Sequence, residues 1–123
     1  EFKERIAVGI DAKNGMVATE GWLEKSDVSY LDLGLAMEDA GVKTIIFTDI
    51  SRDGTLTGVN TEQLGRLNET VSCNIIASGG VSSIKDIEDC LELNLYGCIC
   101  GKALYTGALN LEEAVRKAGV QTC

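Results

Sequence analysis

The sequence predicts an α/β fold of four consecutive βα units. Four short, continuously apolar runs recur along the chain: Arg5–Asp11 (RIAVGID), Lys43–Asp49 (KTIIFTD), Asn74–Gly80 (NIIASGG) and Tyr96–Lys102 (YGCICGK). Unbroken apolarity of this kind is expected of strands buried on both faces, as in a parallel sheet. Each run is followed by a helix-start signal, and no linker or low-complexity segment interrupts the series. With 123 residues, 45% of them hydrophobic, the chain is long enough for one domain over residues 1–123 with a core of its own.

The elements follow in order. After Arg5–Asp11 comes the stretch DAKNGMVATEGW; Ser26 is then expected to cap a helix over DVSYLDLGLAMEDA, with Val28, Leu31 and Leu35 on one face and Gly41 ending it. The second strand leads through TDISRDGTLTGVN to Asn60, the N-cap of TEQLGRLNETV, with Gln63 at capping-box distance. The third ends in Ser78, Gly79 and Gly80, and Ser82 or Ser83 starts IKDIEDCLEL, where Ile84, Ile87 and Leu91 are in register. The fourth ends in Gly101 and Lys102, which open a short helix in KALYTG. Asn110, with Glu113 three residues on, starts the last helix, LEEAVRKA, which Gly119 ends.

Four βα units satisfy two architectures, an open doubly wound parallel sheet or half of a (β/α)8 TIM barrel. In both, ligands bind at the carboxyl ends of the strands. Those ends carry Asp11, Thr48 with Asp49, Ser78 with Gly79 and Gly80, and Gly101 with Lys102. Paired glycines after a strand let the backbone approach a ligand and aim N–H groups at it, and the next helix adds its positive end. Two such stretches, one βα unit apart, match the barrel phosphate site made by the last two βα loops and a short extra helix. A phosphate is therefore expected between Ser78–Gly80 and Gly101–Lys102.

The first two strand ends carry carboxylates instead. Asp11, and Asp53 in the loop after Thr48, are placed to face a small ligand, one protonated and one ionised. Asp49 is expected to be the structural member of the group. The connections after Asp11 and Thr48, about 14 and 10 residues, are long for βα loops and suggest binding loops. Trp22, the sole tryptophan, lies in the first of them, where packing and ligand stacking are both open.

Composition narrows the chemistry. There is no histidine, which excludes His-based triads, zinc sites and proton shuttles within these residues, so acid–base chemistry falls to carboxylates. The five cysteines include no C-x-x-C pair, and Cys98 and Cys100 are expected as small apolar fillers, with no metal bound. A net charge of −8 disfavours nucleic acid as a partner. The apolar runs fall far short of the roughly 20 residues that span a bilayer, so a soluble, cytoplasmic protein without membrane contact is expected.

The stretches GIDAKNGMVATEGW, TDISRDGTLTGVN, IASGGVSS and GKALYTG, in this order and spacing, resemble the second half of the ProFAR isomerase family of histidine biosynthesis. The resemblance implies the C-terminal half of a (β/α)8 barrel, an Amadori aldose–ketose rearrangement of ProFAR to PRFAR on a substrate with a phosphate at each end, and no cofactor. It makes Asp11 the general acid that protonates the ribose ring oxygen, Thr48 an active-site threonine and Asp53 an aspartate of the mobile loop after the sixth strand. Trp22 becomes a loop tryptophan that stacks on substrate, and Gly79, Gly80, Gly101 and Lys102 one of two phosphate sites. The related cyclase subunit of imidazole glycerol phosphate synthase shares the first Asp and IASGG but usually lacks the Gly-Trp and Gly-Lys-Ala-Leu stretches, which favours the isomerase.

The family's first four strands have no counterpart here, and with them go the other phosphate site and the general base. The chain, starting at Glu1, is therefore expected to be a fragment, inactive alone. Its partners are then a phosphorylated small-molecule substrate and either the missing N-terminal half-barrel or a second copy, because four strands leave Arg5–Asp11 and Tyr96–Lys102 as open edges. The cyclase half, an isomerase serving both the histidine and tryptophan pathways, and a non-catalytic phosphate-binding half-barrel stand as the alternatives.

Overall fold

The computed structural model describes residues 6–19, 24–52, 58–107 and 109–119; Trp22 and Asp53 lie outside them. In chain order the elements are β1 (Ala7–Lys13), β2 (Met16–Thr19), β3 (Glu24–Ser29), α1 (Tyr30–Asp39), β4 (Thr44–Asp49), α2 (Thr61–Thr70), β5 (Asn74–Ser78), α3 (Ile84–Glu92), β6 (Gly97–Cys98), α4 (Lys102–Thr106) and α5 (Leu111–Gly119). The sheet order is β3-β2-β1-β4-β5-β6. Its parallel part, β1-β4-β5-β6, follows the chain without reversal.

That order decides between the two expected architectures. A doubly wound sheet needs a point where strand order reverses and helices on both faces. Here successive crossovers of the same hand deliver every helix to one face. One face of the strands, Ile10, Ala12, Ile45, Phe47, Ile75 and Ala77, is buried in a single cluster with Tyr30, Leu64, Leu67, Val71, Ile87, Cys90, Ala103, Leu109 and Ala114 from the helices and loops. The residues that alternate with them on the strands, Gly9, Ile46 and Ile76, are outside that cluster. The protein is half of a (β/α)8 barrel, and among the described residues the helices pack on one face of the sheet only. The open doubly wound alternative is set aside.

The local signals explain most helix boundaries. Asn60 accepts from Gln63 N at 3.1 Å and Asn110 from Glu113 N at 3.0 Å, as their spacing predicts. Ser83 is the N-cap of α3, and it forms a reciprocal capping box with Asp86. On α3, Ile87 and Cys90 are buried while Ile84 and Leu91 pack partly against the core.

The first βα connection departs from expectation. Asn14 and Gly15, at φ 54° and 82°, form a two-residue hairpin turn, so β1 runs on to Lys13 and pairs with β2 through Ala12↔Val17 and Lys13↔Met16. β3 then pairs antiparallel with β2. The stretch from Ser26 is consumed by this excursion, and the helix begins four residues later, at Tyr30, with Ser29 as N-cap accepting from Leu31 N. Its buried positions are Tyr30 and Gly34, while Val28 and Leu35 are 45% and 40% exposed. Tyr30 anchors the helix, its ring 5.0 Å from that of Phe47 and its hydroxyl donating to Gln63 O at 3.2 Å. The hairpin also covers the end of β1, so only its first part is an open edge. At the other side, Tyr96–Lys102 is strand only over Gly97–Cys98. No helix among the described residues is long and apolar enough to cross a membrane.

Candidate active site

Register brings three of the expected residues into one row. Asp11 pairs with Thr48 across β1 and β4, and Thr48 with Ser78 across β4 and β5. Residues in register on parallel strands share a face, and this is the inner face, away from the helices, because their neighbours Ile10, Ala12, Phe47 and Ala77 all point into the helix layer. With strands about 4.8 Å apart, the row from Asp11 to Ser78 spans about 10 Å, the size of a sugar phosphate. Asp11 and Ser78 are half-buried and Thr48 is buried. Below them lies a second row, Gly9–Ile46–Ile76–Gly97, an apolar floor with glycines at both ends.

Asp11 does not end its strand as expected. It lies inside β1, two residues before the strand ends at Lys13, and is thereby fixed by pairing on the strand rather than left on a loop. Asp49, one residue past the row, turns to the helix side and is 4% exposed. Its carboxylate accepts from Ser51 N at 3.0 Å and Asn60 Nδ2 at 2.9 Å, and lies 3.8 Å from Arg52 Nε. It ties the start of the loop after β4 to its end, which is the structural role expected of it.

Gly79 and Gly80 follow the row directly, at φ 88° and 89°. Both are buried, and close packing within the protein accounts for both. A Cβ on Gly79 would sit 3.0 Å from Asp49 O, and one on Gly80 only 2.3 Å from Gly58 O. Gly101 differs: a Cβ there meets nothing within 4 Å, and it is exposed, as is Lys102 at the first position of α4. Since Ala77 pairs with Cys98, Gly80 and Gly101 each lie three residues past that pair, at the same end of the sheet. Behind Gly101, α4 is seated by the fully buried Ala103 and ended by Gly107 in the left-handed conformation.

Two side chains that frame this end were not singled out from sequence. Arg52 donates through Nη1 to Val59 O at 3.1 Å. Asp86, 7% exposed, accepts from Ser82 N at 2.9 Å, Ser82 Oγ at 2.8 Å, Ser83 N at 3.1 Å and Val59 N at 3.3 Å. Burial pushes its carboxyl up, but these donors, Ser82 foremost, outweigh it and hold the group below the usual range, ionised. The Ser83-x-x-Asp86 spacing was the available signal.

A cavity of about 640 Å³ lies away from this row, on the helix side of β6, lined among others by Ile87, Cys90, Cys98, Cys100, Leu111 and Val115. Its lining is apolar, and it holds none of the expected site residues. Burial pushes the Cys100 thiol up to about 11, which keeps it protonated and unreactive, in keeping with a filler role. Among the described residues no group of three or more Cys, Asp or Glu side chains is placed to hold a metal ion.

Comparison with known proteins supplies the family. The family model described as "Histidine biosynthesis protein" matches residues 1–110. The chain belongs to the histidine biosynthesis protein family. Within that family it is 58% identical over 114 residues to a Bacillus anthracis protein, covering 93% of this chain and 48% of the relative. A Clostridium botulinum protein is 53% identical over 116 residues, covering 94% and 48%, and a Bacillus cereus protein 56% identical over 114 residues, covering 93% and 48%. All three relatives are named 1-(5-phosphoribosyl)-5-((5-phosphoribosylamino)methylideneamino)imidazole-4-carboxamide isomerase. This histidine biosynthesis protein thus spans about half the length of the curated relatives it matches.

Proposed function

We propose that this chain is one half-barrel of a cytoplasmic ProFAR isomerase, the half that carries the general acid and one phosphate site. The observation that carries the proposal is the Asp11–Thr48–Ser78 row on the open inner face, at the carboxyl ends of consecutive parallel strands. It supports Asp11 as the group that gives a proton to the ribose ring oxygen, so that the ring opens to a Schiff base. Thr48, beside it on β4, positions the sugar. Asp53 and Trp22, which lie outside the described residues, are assigned to the same substrate. The relatives' names favour the isomerase over the cyclase subunit.

The phosphate is assigned to the backbone of Gly79–Gly80 and Gly101–Lys102, which adjoin the row at the ends of β5 and β6. The exposed Gly101, with open space where a side chain would be, supports a backbone that meets a ligand. The general base belongs to the other half, so the chain alone is inactive. That half, or a second copy of this chain, covers the inner face and the β6 edge, where Tyr96 and Ile99 are 68% and 45% exposed. The partners are thus a phosphorylated small molecule and a completing half-barrel, with neither nucleic acid nor membrane among them.

The test is a titration of the isotope-labelled chain with inorganic phosphate, followed through its amide resonances. Shifts concentrated at Gly79, Gly80, Gly101 and Lys102 are expected. Unmoved resonances at all four would remove the phosphate site from the account.

A further inference from the structure

Asp86 sits where two loops meet. Its Oδ2 takes the N–H groups of Ser82 and Ser83, which lead into α3, and its Oδ1 reaches across 27 residues of sequence to Val59 N at 3.3 Å. One residue before Val59, Gly58 N donates to Gly80 O at 3.0 Å, and the Gly58 carbonyl lies where a side chain on Gly80 would be. The end of the loop after β4 is thus laid against the Gly79–Gly80 turn and fastened there by one buried carboxylate.

We propose that Asp86 is a positioning residue for the phosphate site, setting the direction of the Gly79–Gly80 backbone by holding Gly58–Val59 against it. This rests on the phosphate assignment above. A helix cap alone would need only Ser82 and Ser83; the bond to Val59 N is the additional feature, since it joins the loop after β4 to the loop after β5. A buried carboxylate meeting donors from Ser82, Ser83 and Val59 is a rigid junction, so its effect passes to whatever the turn binds.

The experiment compares the chain with its Asp86→Asn and Asp86→Glu variants by amide hydrogen exchange and phosphate titration. Gly58 N–H is the reporter, because it bonds to Gly80 O and not to Asp86. Asp86→Asn is expected to speed its exchange by about 10-fold and weaken phosphate binding by about 5- to 10-fold, with β4 and β5 amides unchanged and Asp86→Glu between the two. Unchanged Gly58 exchange, or unchanged phosphate affinity in a chain that binds phosphate, overturns the proposal. If the parent chain binds no phosphate, the phosphate assignment fails and, with it, a positioning role toward that ligand; altered Gly58 exchange then shows a loop junction only. Should Asp86→Asn not fold, Gly58→Ala carries the test. Its methyl would lie 3.3 Å from Asp86 Oδ1 at a positive φ, loosening the junction from the other side. Weaker phosphate binding by about 5-fold supports the proposal, and no change overturns it.

Discussion

Replacing Asp11 with Asn, in this chain completed by the other half-barrel, is expected to leave substrate binding near normal and lower turnover by about 10²-fold or more, the scale of general acid catalysis. The substitution is close to isosteric and sits within a paired strand, so the row on β1, β4 and β5 should survive it. What is lost is the proton, because an amide cannot give one to a sugar ring oxygen. Steady-state kinetics check this: kcat should fall with KM little changed. Near-normal turnover would take Asp11 out of the chemistry and leave Asp53 as the carboxylate to examine.

Gly80→Ala is expected to cost stability rather than activity alone. The residue stands at φ 89°, and its Cβ would lie 2.3 Å from the Gly58 carbonyl oxygen, a backbone atom that Arg52 and the Gly58–Gly80 bond hold in place. Left-handed strain plus that clash amounts to roughly 3 kcal/mol, or a fall in Tm of about 10 °C for a domain of this size. Gly101→Ala is the matched control. With open space around its Cβ it should shift stability by less than about 1 kcal/mol, while crowding the proposed phosphate. Thermal melts of the two variants separate a packing glycine from a ligand-facing one. Equal melts would contradict the contacts at Gly80.

The pair shows what sequence alone could and could not disclose. Both Gly-containing stretches stood out because glycine after an apolar run is a local feature. The reason for Gly80, however, is a carbonyl 22 residues away, which no local pattern contains. The strands were legible because parallel strands are apolar throughout, and the caps at Asn60 and Asn110 because capping is set by spacing within one turn. Asp11, Thr48 and Ser78 were each visible toward the ends of apolar runs. Their common row was not, since it depends on register between strands.

The hairpin after β1 is a different kind of miss. Asn14-Gly15 is a strong two-residue turn signal, but the Ser26 start and the apolar residues after it offered a competing helix. Pairing with β2 won, moved the helix start to Tyr30 and changed which face of α1 is buried. For β6, the run Tyr96–Lys102 promised a full strand. It has one neighbour, β5, and keeps ladder register with it only at Gly97 and Cys98.

The central claim is that the inner face of this half-barrel is one wall of an isomerase site whose other wall lies on the complementary half. The most direct measurement mixes the chain with a separately produced first half of one of its relatives and follows both association, by sedimentation, and conversion of the aminoaldose ProFAR to its aminoketose. The account predicts no activity in the chain alone, a one-to-one complex on mixing, and activity in that complex that Asp11→Asn removes. Full activity in the chain alone, or a well-formed complex that is inactive with Asp11 in place, would contradict it.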